Sequence, residues 1–180
     1  MKVRVFFAQG CEEVEALTVV DLLRRAGACC LMVSADDMET VTGSHGITMT
    51  MDEKISEAAD DADMLVLPGG IPGVPNLKAN AKVKEMVVNQ YEAGKYVAAI
   101  CAAPTALGAF GILKDKKACC YPNMEGELCC REVSYDNVVV DGNVITSRGL
   151  GTAIEFGLKL TELLFDAEKS EQLAQKIVYR

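Results

Sequence analysis

The sequence predicts an α/β protein in which a mostly parallel central sheet lies between helical layers. Three observations carry this reading. Short apolar runs alternate with amphipathic segments along nearly the whole chain, which is the pattern of strand–helix crossovers. Pro68, Gly69 and Gly70 follow one apolar run directly. A thiol, Cys101, stands where another apolar run passes without a break into a helix-like segment, "YVAAICAAPTALGAFG".

The elements follow in order. Residues 2–8 form a short apolar run fit for a buried strand. Residues 14–26 carry Leu17, Val20 and Leu23 at helical spacing, with Gly27 as a stop. The next strand is 28–34. Residues 40–42 and 47–51 read as a hairpin with a polar face around Gly43 to Gly46. A short helix is expected at 55–59, and a core strand at 64–67 that ends at Pro68. Residues 81–92 are helical and closed by Gly94, and the strand 95–100 feeds Cys101. Beyond it, 118–121 reads as a strand. Residues 138–140 and 144–146 pair across Asp141-Gly142. Helices at 152–164 and 168–178 finish the chain. No repeat or long linker divides it, so one domain over 1–180 is expected.

Composition narrows the function. Of 180 residues, half are apolar and 24% charged, and the net charge is −8. An acidic surface argues against nucleic acid and anionic membranes, which need a basic face. No apolar run is long enough to span a bilayer, and the N-terminal run is too short for a signal segment. A cytoplasmic protein is expected. Six of the eight cysteines form adjacent pairs, 29–30, 119–120 and 129–130. Neighbours on a strand face opposite ways, and zinc sites space their ligands by two to four residues. Reduced, mostly structural thiols are therefore expected, with no metal.

The junction at Cys101 is different. A nucleophile elbow needs small residues two before and two after its strained centre, and here they are Ala99 and Ala103. Pro104 suits a first helical turn. A thiol at a helix start feels exposed amides and the positive end of the dipole, which favour thiolate. A buried small residue is the plain alternative. In open parallel sheets, ligands bind outside the carboxyl ends of the strands. The first crossover, "QGCEEVEALTVVDLLRRAG", places Glu12, Glu13 and Glu15 at that edge. Carboxylates are favoured in any first turn, yet one of them can reach the thiol. The pair would then share a proton, because two like charges cannot both form there. The turn after residue 67 frees backbone amides, so Gly70 and Ala102 are candidates for an oxyanion hole beside Gly69. The chain lacks the phosphate-loop and G-x-G-x-x-G patterns, and no organic cofactor is expected.

Together, "GCEEVEALTVVDLLRRAG", "LVLPGG", "AAICAAPTALG" and "TSRGLGTAIEFGLKL" resemble the DJ-1/ThiJ/PfpI superfamily in its bacterial-type branch. The resemblance implies a flavodoxin-like three-layer sandwich, like class I glutamine amidotransferases. It further implies Cys101 as the reactive cysteine, Glu15 as its carboxylic acid partner, site amides from Gly70 and Ala102, and a homodimer. The activity it implies is cofactor-independent addition of Cys101 to small aldehydes or to glycated protein, of glyoxalase or deglycase type, in carbonyl and oxidative stress. The alternative is a redox sensor or chaperone that works through oxidation of Cys101. Protease-like relatives place His directly after the cysteine. Here Ala102 follows, which disfavours protease or amidase chemistry. Some relatives carry His where this chain has Tyr121. The single histidine, His45, lies in the expected hairpin. A Cys–His pair with Cys101 is expected only if that loop folds over the site; otherwise His45 is a surface-loop histidine, or reaches toward the partner's site as the resemblance implies for an Arg near this position in a relative.

Overall fold

The computed structural model describes residues 1–179. Eleven strands and six helices alternate: β1 Lys2–Phe7, α1 Glu13–Ala26, β2 Cys29–Ser34, β3 Thr40–Thr42, β4 Thr48–Thr50, β5 Glu53–Lys54, β6 Met64–Leu67, α2 Gly73–Ala79, α3 Ala81–Glu92, β7 Tyr96–Ile100, α4 Pro104–Ala109, β8 Lys117–Ala118, β9 Glu132–Val133, β10 Val138–Asp141, β11 Val144–Ser147, α5 Ala153–Leu164 and α6 Ala167–Lys176. Seven strands form the main sheet in the order β10-β11-β7-β6-β1-β2-β5. All its pairings are parallel except β10 with β11. The long parallel strands run β2-β1-β6-β7-β11, the flavodoxin order, whose switch point lies beside β1.

Alternation along the strands makes the layers. In β1, Val3, Val5 and Phe7 join α1 residues Ala16, Val19 and Leu23 and α5 residues Phe156 and Leu160. Phe6 points the other way, into a core built with Leu77 of α2, Val83 and Val87 of α3, and Leu107 of α4. The sheet is buried on both faces, so its strands read as continuous apolar runs. Arg4 is the exception, 1% exposed in the middle of β1. Its guanidinium meets Glu53 and Asp61, each at 2.6 Å, and removing one partner would strand a buried charge.

Several boundaries shift from expectation. Residues 73–79 form α2, where no helix was expected. Pro75 lies in the first turn, where amides have no helical partner to lose. The expected strand 118–121 is only β8, because the Cys119 amide turns to Thr146 Oγ1 at 3.0 Å and leaves the ladder. Both expected hairpins form, β3–β4 and β10–β11. Gly27 closes α1 with φ of 96°, a left-handed cap that suits glycine.

Candidate active site

Cys101 follows β7 directly and has φ of 65°. A non-glycine residue there is strained, and surrounding structure must hold it. Its amide donates to Ser147 O at 3.0 Å, and its carbonyl accepts from the Tyr121 amide at 2.8 Å. Ala99 and Ala103, both fully buried, leave the space the sharp turn needs. Pro104 opens α4. The elbow expected from A-x-C-x-A is present.

The three carboxylates of the first crossover separate. Glu12 caps α1, its Oε1 accepting from the Val14 amide at 3.0 Å. Glu13 points to the β3–β4 loop. Glu15, 1% exposed, turns inward and hydrogen-bonds Cys101. Its Oε2 also accepts from the Gly69 amide at 3.0 Å. A Cβ on Gly69 would lie 2.6 Å from both Glu15 Oε2 and Cys101 Cβ, so only glycine lets the two side chains meet. Gly69 therefore departs from expectation, because its amide serves Glu15 instead of lining the cleft. Gly70, with φ of 96°, packs so closely on Cys11 and Glu12 that any side chain would overlap their backbone. The amides of Gly70 and Ala102 both face the Cys101 sulfur, so they serve charge on sulfur, or atoms bonded to it.

Burial raises the Cys101 thiol to about 12, charge on Glu15 adds to the rise, and the two amides oppose it. The sequence expected the helix start to lower this thiol. α4 has six residues, and desolvation outweighs it. Burial likewise raises Glu15 to about 7, against hydrogen bonds from Cys101 and Gly69. Each group's charge disfavours the other's. Between about 7 and about 12 the pair therefore holds one proton, mainly on sulfur.

Cys101 opens into a cleft of 380 Å³ lined by Glu12, Glu15, Ser44, His45, Gly70, Ile71, Tyr121 and Leu150. Both accessory candidates, His45 and Tyr121, are therefore brought to the site. Ile71 and Leu150, 60% and 52% exposed, were not expected there. Isolated apolar residues in loops carry no sequence signal. A larger groove of 660 Å³ lies between α1 and the end of the chain, but no cysteine or histidine lines it. Among the described residues, Glu12, Glu13 and His45 are the one group whose ligand atoms could together hold a metal. Their mutual hydrogen bonds already account for their closeness.

The model of the DJ-1/PfpI family matches residues 1–163. The chain belongs to the DJ-1/PfpI family. It is 40% identical over 182 residues to protein DJ-1 homolog B of Arabidopsis thaliana, covering 99% of this chain and 42% of that protein. It thus spans less than half the length of that plant relative. It is 33% identical over 169 residues to the glutathione-independent glyoxalase DJR-1.2 of Caenorhabditis elegans, covering 92% of this chain and 89% of that protein. Among solved structures, oxidized DJ-1 of Toxoplasma gondii superposes with a TM-score of 0.94 at 36% identity, over 98% of this chain and 97% of that one. The DJ-1/PfpI assignment agrees with the strand order and the elbow, both established above from geometry.

Proposed function

We propose that this chain is a cysteine-dependent enzyme that converts small 2-oxoaldehydes to 2-hydroxy acids. The observation that supports it most is a strained, cleft-facing Cys101 hydrogen-bonded to a buried Glu15 whose affinity for protons is raised toward neutral pH. The nematode relative's name, a glutathione-independent glyoxalase, supports the substrate class.

The chemistry follows from the shared proton. In the reactive placement Glu15 holds it, and sulfur is the thiolate between the Gly70 and Ala102 amides. Sγ adds to the aldehyde carbon C1. The C1=O π pair moves to oxygen, which takes the Glu15 proton. Glu15, now a carboxylate, removes the C1 hydrogen as a proton and delivers it to C2, while the C1 hydroxyl gives up its proton and the C2 oxygen gains one. The result is a thioester of a 2-hydroxy acid, which water cleaves to release the acid and restore the thiol. No net oxidation occurs. Glycated side chains present the same carbonyl chemistry on a larger body.

The test is conversion of methylglyoxal to lactate. Cys101→Ala is expected to abolish it while thermal unfolding stays cooperative. Undiminished turnover in that variant overturns the reading. A second reading, oxidation of Cys101 as a sensing event, is favoured by the same two amides and the Glu15 carboxyl. They would hold oxygens bonded to sulfur as readily as charge on it. Peroxide-dependent addition of two oxygens to Cys101, without turnover, would decide for it. Ala102, in place of a histidine, supports neither protease nor amidase. A second copy of this chain is the proposed partner and the cytoplasm the proposed setting. Sedimentation at micromolar concentration tests the dimer. No helix among the described residues is long and apolar enough to cross a membrane.

A further inference from the structure

The β3–β4 loop is wrapped around a buried carboxylate. Glu13 is 1% exposed. Its Oε1 accepts from the His45 amide at 2.7 Å and from the Ile47 amide at 3.4 Å. Its Oε2 meets His45 Nδ1 at 3.1 Å, Glu12 Oε2 lies 3.2 Å from the same nitrogen, and Ser44 Oγ is at 3.0 Å. A Cβ on Gly43 would overlap the Glu13 carboxyl group, so the loop's lack of a side chain there makes the embrace possible. This arrangement does more than cap a helix, since it fixes a ring that lines the Cys101 cleft.

Carboxylates only accept, so the ring nitrogen facing two of them, Nδ1, carries a hydrogen. Nε2 is left as the working nitrogen. We propose that His45, oriented through Nδ1 by Glu13 and Glu12, is the acid–base group that serves the substrate's second carbonyl oxygen from the mouth of the cleft. This rests on the 2-oxoaldehyde reading above. That reaction needs it, because Glu15 can work at the C1 and C2 carbons, while the C2 oxygen must gain a proton and the C1 hydroxyl must lose one. As Glu15 takes the C1 proton, the C1–H pair becomes the C1=C2 bond. The C2=O π pair then takes the proton from Nε2, giving the enediol. As Glu15 returns its proton to C2, neutral Nε2 accepts the C1 hydroxyl proton, and the thioester carbonyl forms. His45 ends as it began.

The charge setting agrees. The Glu13 hydrogen bond, with charge on Glu12 and Glu13, raises His45 above its ordinary value, which favours the donor form at neutral pH. The other titratable groups lining the cleft are Glu15, Cys101 and Tyr121. As an acid with a raised pKa, His45 supports turnover below that pKa and loses it as pH rises through it.

The experiment is steady-state kinetics on methylglyoxal for the unaltered chain, Cys101→Ser, His45→Gln and Glu13→Gln, from pH 5.5 to 9. His45→Gln, at an exposed ring, is expected to lower kcat by about 100-fold, the scale of one acid–base group. KM should stay within about twofold, the alkaline limb due to His45 should vanish, and added imidazole should restore part of kcat. Glu13→Gln should move that limb to lower pH. Undiminished kcat in His45→Gln, or a loss with an unchanged pH profile and no imidazole rescue, overturns the proposal while a dead Cys101→Ser leaves the parent reading intact. Absence of Cys101-dependent turnover in the unaltered chain overturns both.

Discussion

The Gly69 amide donates to Glu15 Oε2 at 3.0 Å, and a methyl group on the same residue would stand 2.6 Å from that oxygen. One residue thus both holds the carboxyl and keeps the space in which it meets Cys101. It acts through its backbone and through what it lacks.

Gly69→Ala is therefore expected to part Glu15 from Cys101. Displacement of about 1 Å in a reacting pair costs on the order of 10²-fold in rate, and overpacking a core typically costs about 1–3 kcal/mol. Turnover of methylglyoxal should fall by that factor while the protein still folds, as read by urea unfolding. Turnover within about threefold of the parent would mean that the Glu15–Cys101 contact does not limit the reaction.

Glu15 also ties stability to pH. Its folded-state pKa is raised, to about 7, so the native state binds its proton more tightly than the unfolded chain does. The resulting stability is fully present below the unfolded carboxyl value and is lost as pH rises through about 7. Its scale is about 3 kcal/mol. Glu15→Gln cannot ionise, so its stability relative to the parent should increase between pH 5 and pH 8. Urea midpoints measured across that range check this. A difference that does not change with pH contradicts a buried, reluctant Glu15.

Much of this was readable in the chain, for reasons that differ by residue. β6 and β7 are buried on both faces, so their sequences are apolar without interruption, and β1 departs from this only at Lys2 and Arg4. The elbow showed through Ala99 and Ala103, because crowding there leaves no choice of side chain. What failed to show was angular or distant. Glu12, Glu13 and Glu15 all satisfy the rule that acids suit a first turn. Only the helix phase, with Glu12 outside it as cap, sends Glu13 to the hairpin loop and Glu15 to the turn after β6. The partnership of Glu13 with His45 crosses 32 positions and depends on a missing side chain at Gly43. α2 hid behind Gly73 and Pro75, residues that normally interrupt a helix but are tolerated in its first turn.

Gly43 supplies a prediction of its own. Gly43→Ala should push the β3–β4 loop off the Glu13 carboxylate, with which a new Cβ would overlap. The His45 ring, which Glu13 raises, would then titrate at lower pH than in the parent. Proton NMR of the single imidazole reads this directly, without any assay of activity. An unchanged His45 titration would show that the loop adapts and that Glu13 does not hold the ring.

Alkylation reports on the shared proton itself. The chain has eight thiols, of which Cys11, Cys30, Cys119 and Cys120 are buried, Cys29 and Cys129 exposed, and Cys101 and Cys130 half-buried. Brief treatment of native protein with iodoacetamide should therefore leave the four buried ones unmodified. At low pH both members of the Glu15–Cys101 pair hold protons, and sulfur is unreactive. As the first proton leaves near pH 7, the one that remains sits mainly on sulfur, and only its minor placement on Glu15 leaves a thiolate at Cys101. The Cys101 rate should thus rise through neutral pH, ahead of the further rise that full ionisation would bring. In Glu15→Gln no carboxylate can receive the thiol proton, so this neutral step should disappear while the exposed Cys29 and Cys129 react as before. Peptide mapping after graded-pH alkylation separates the sites. A neutral step that survives Glu15→Gln would place the activating group elsewhere in the cleft.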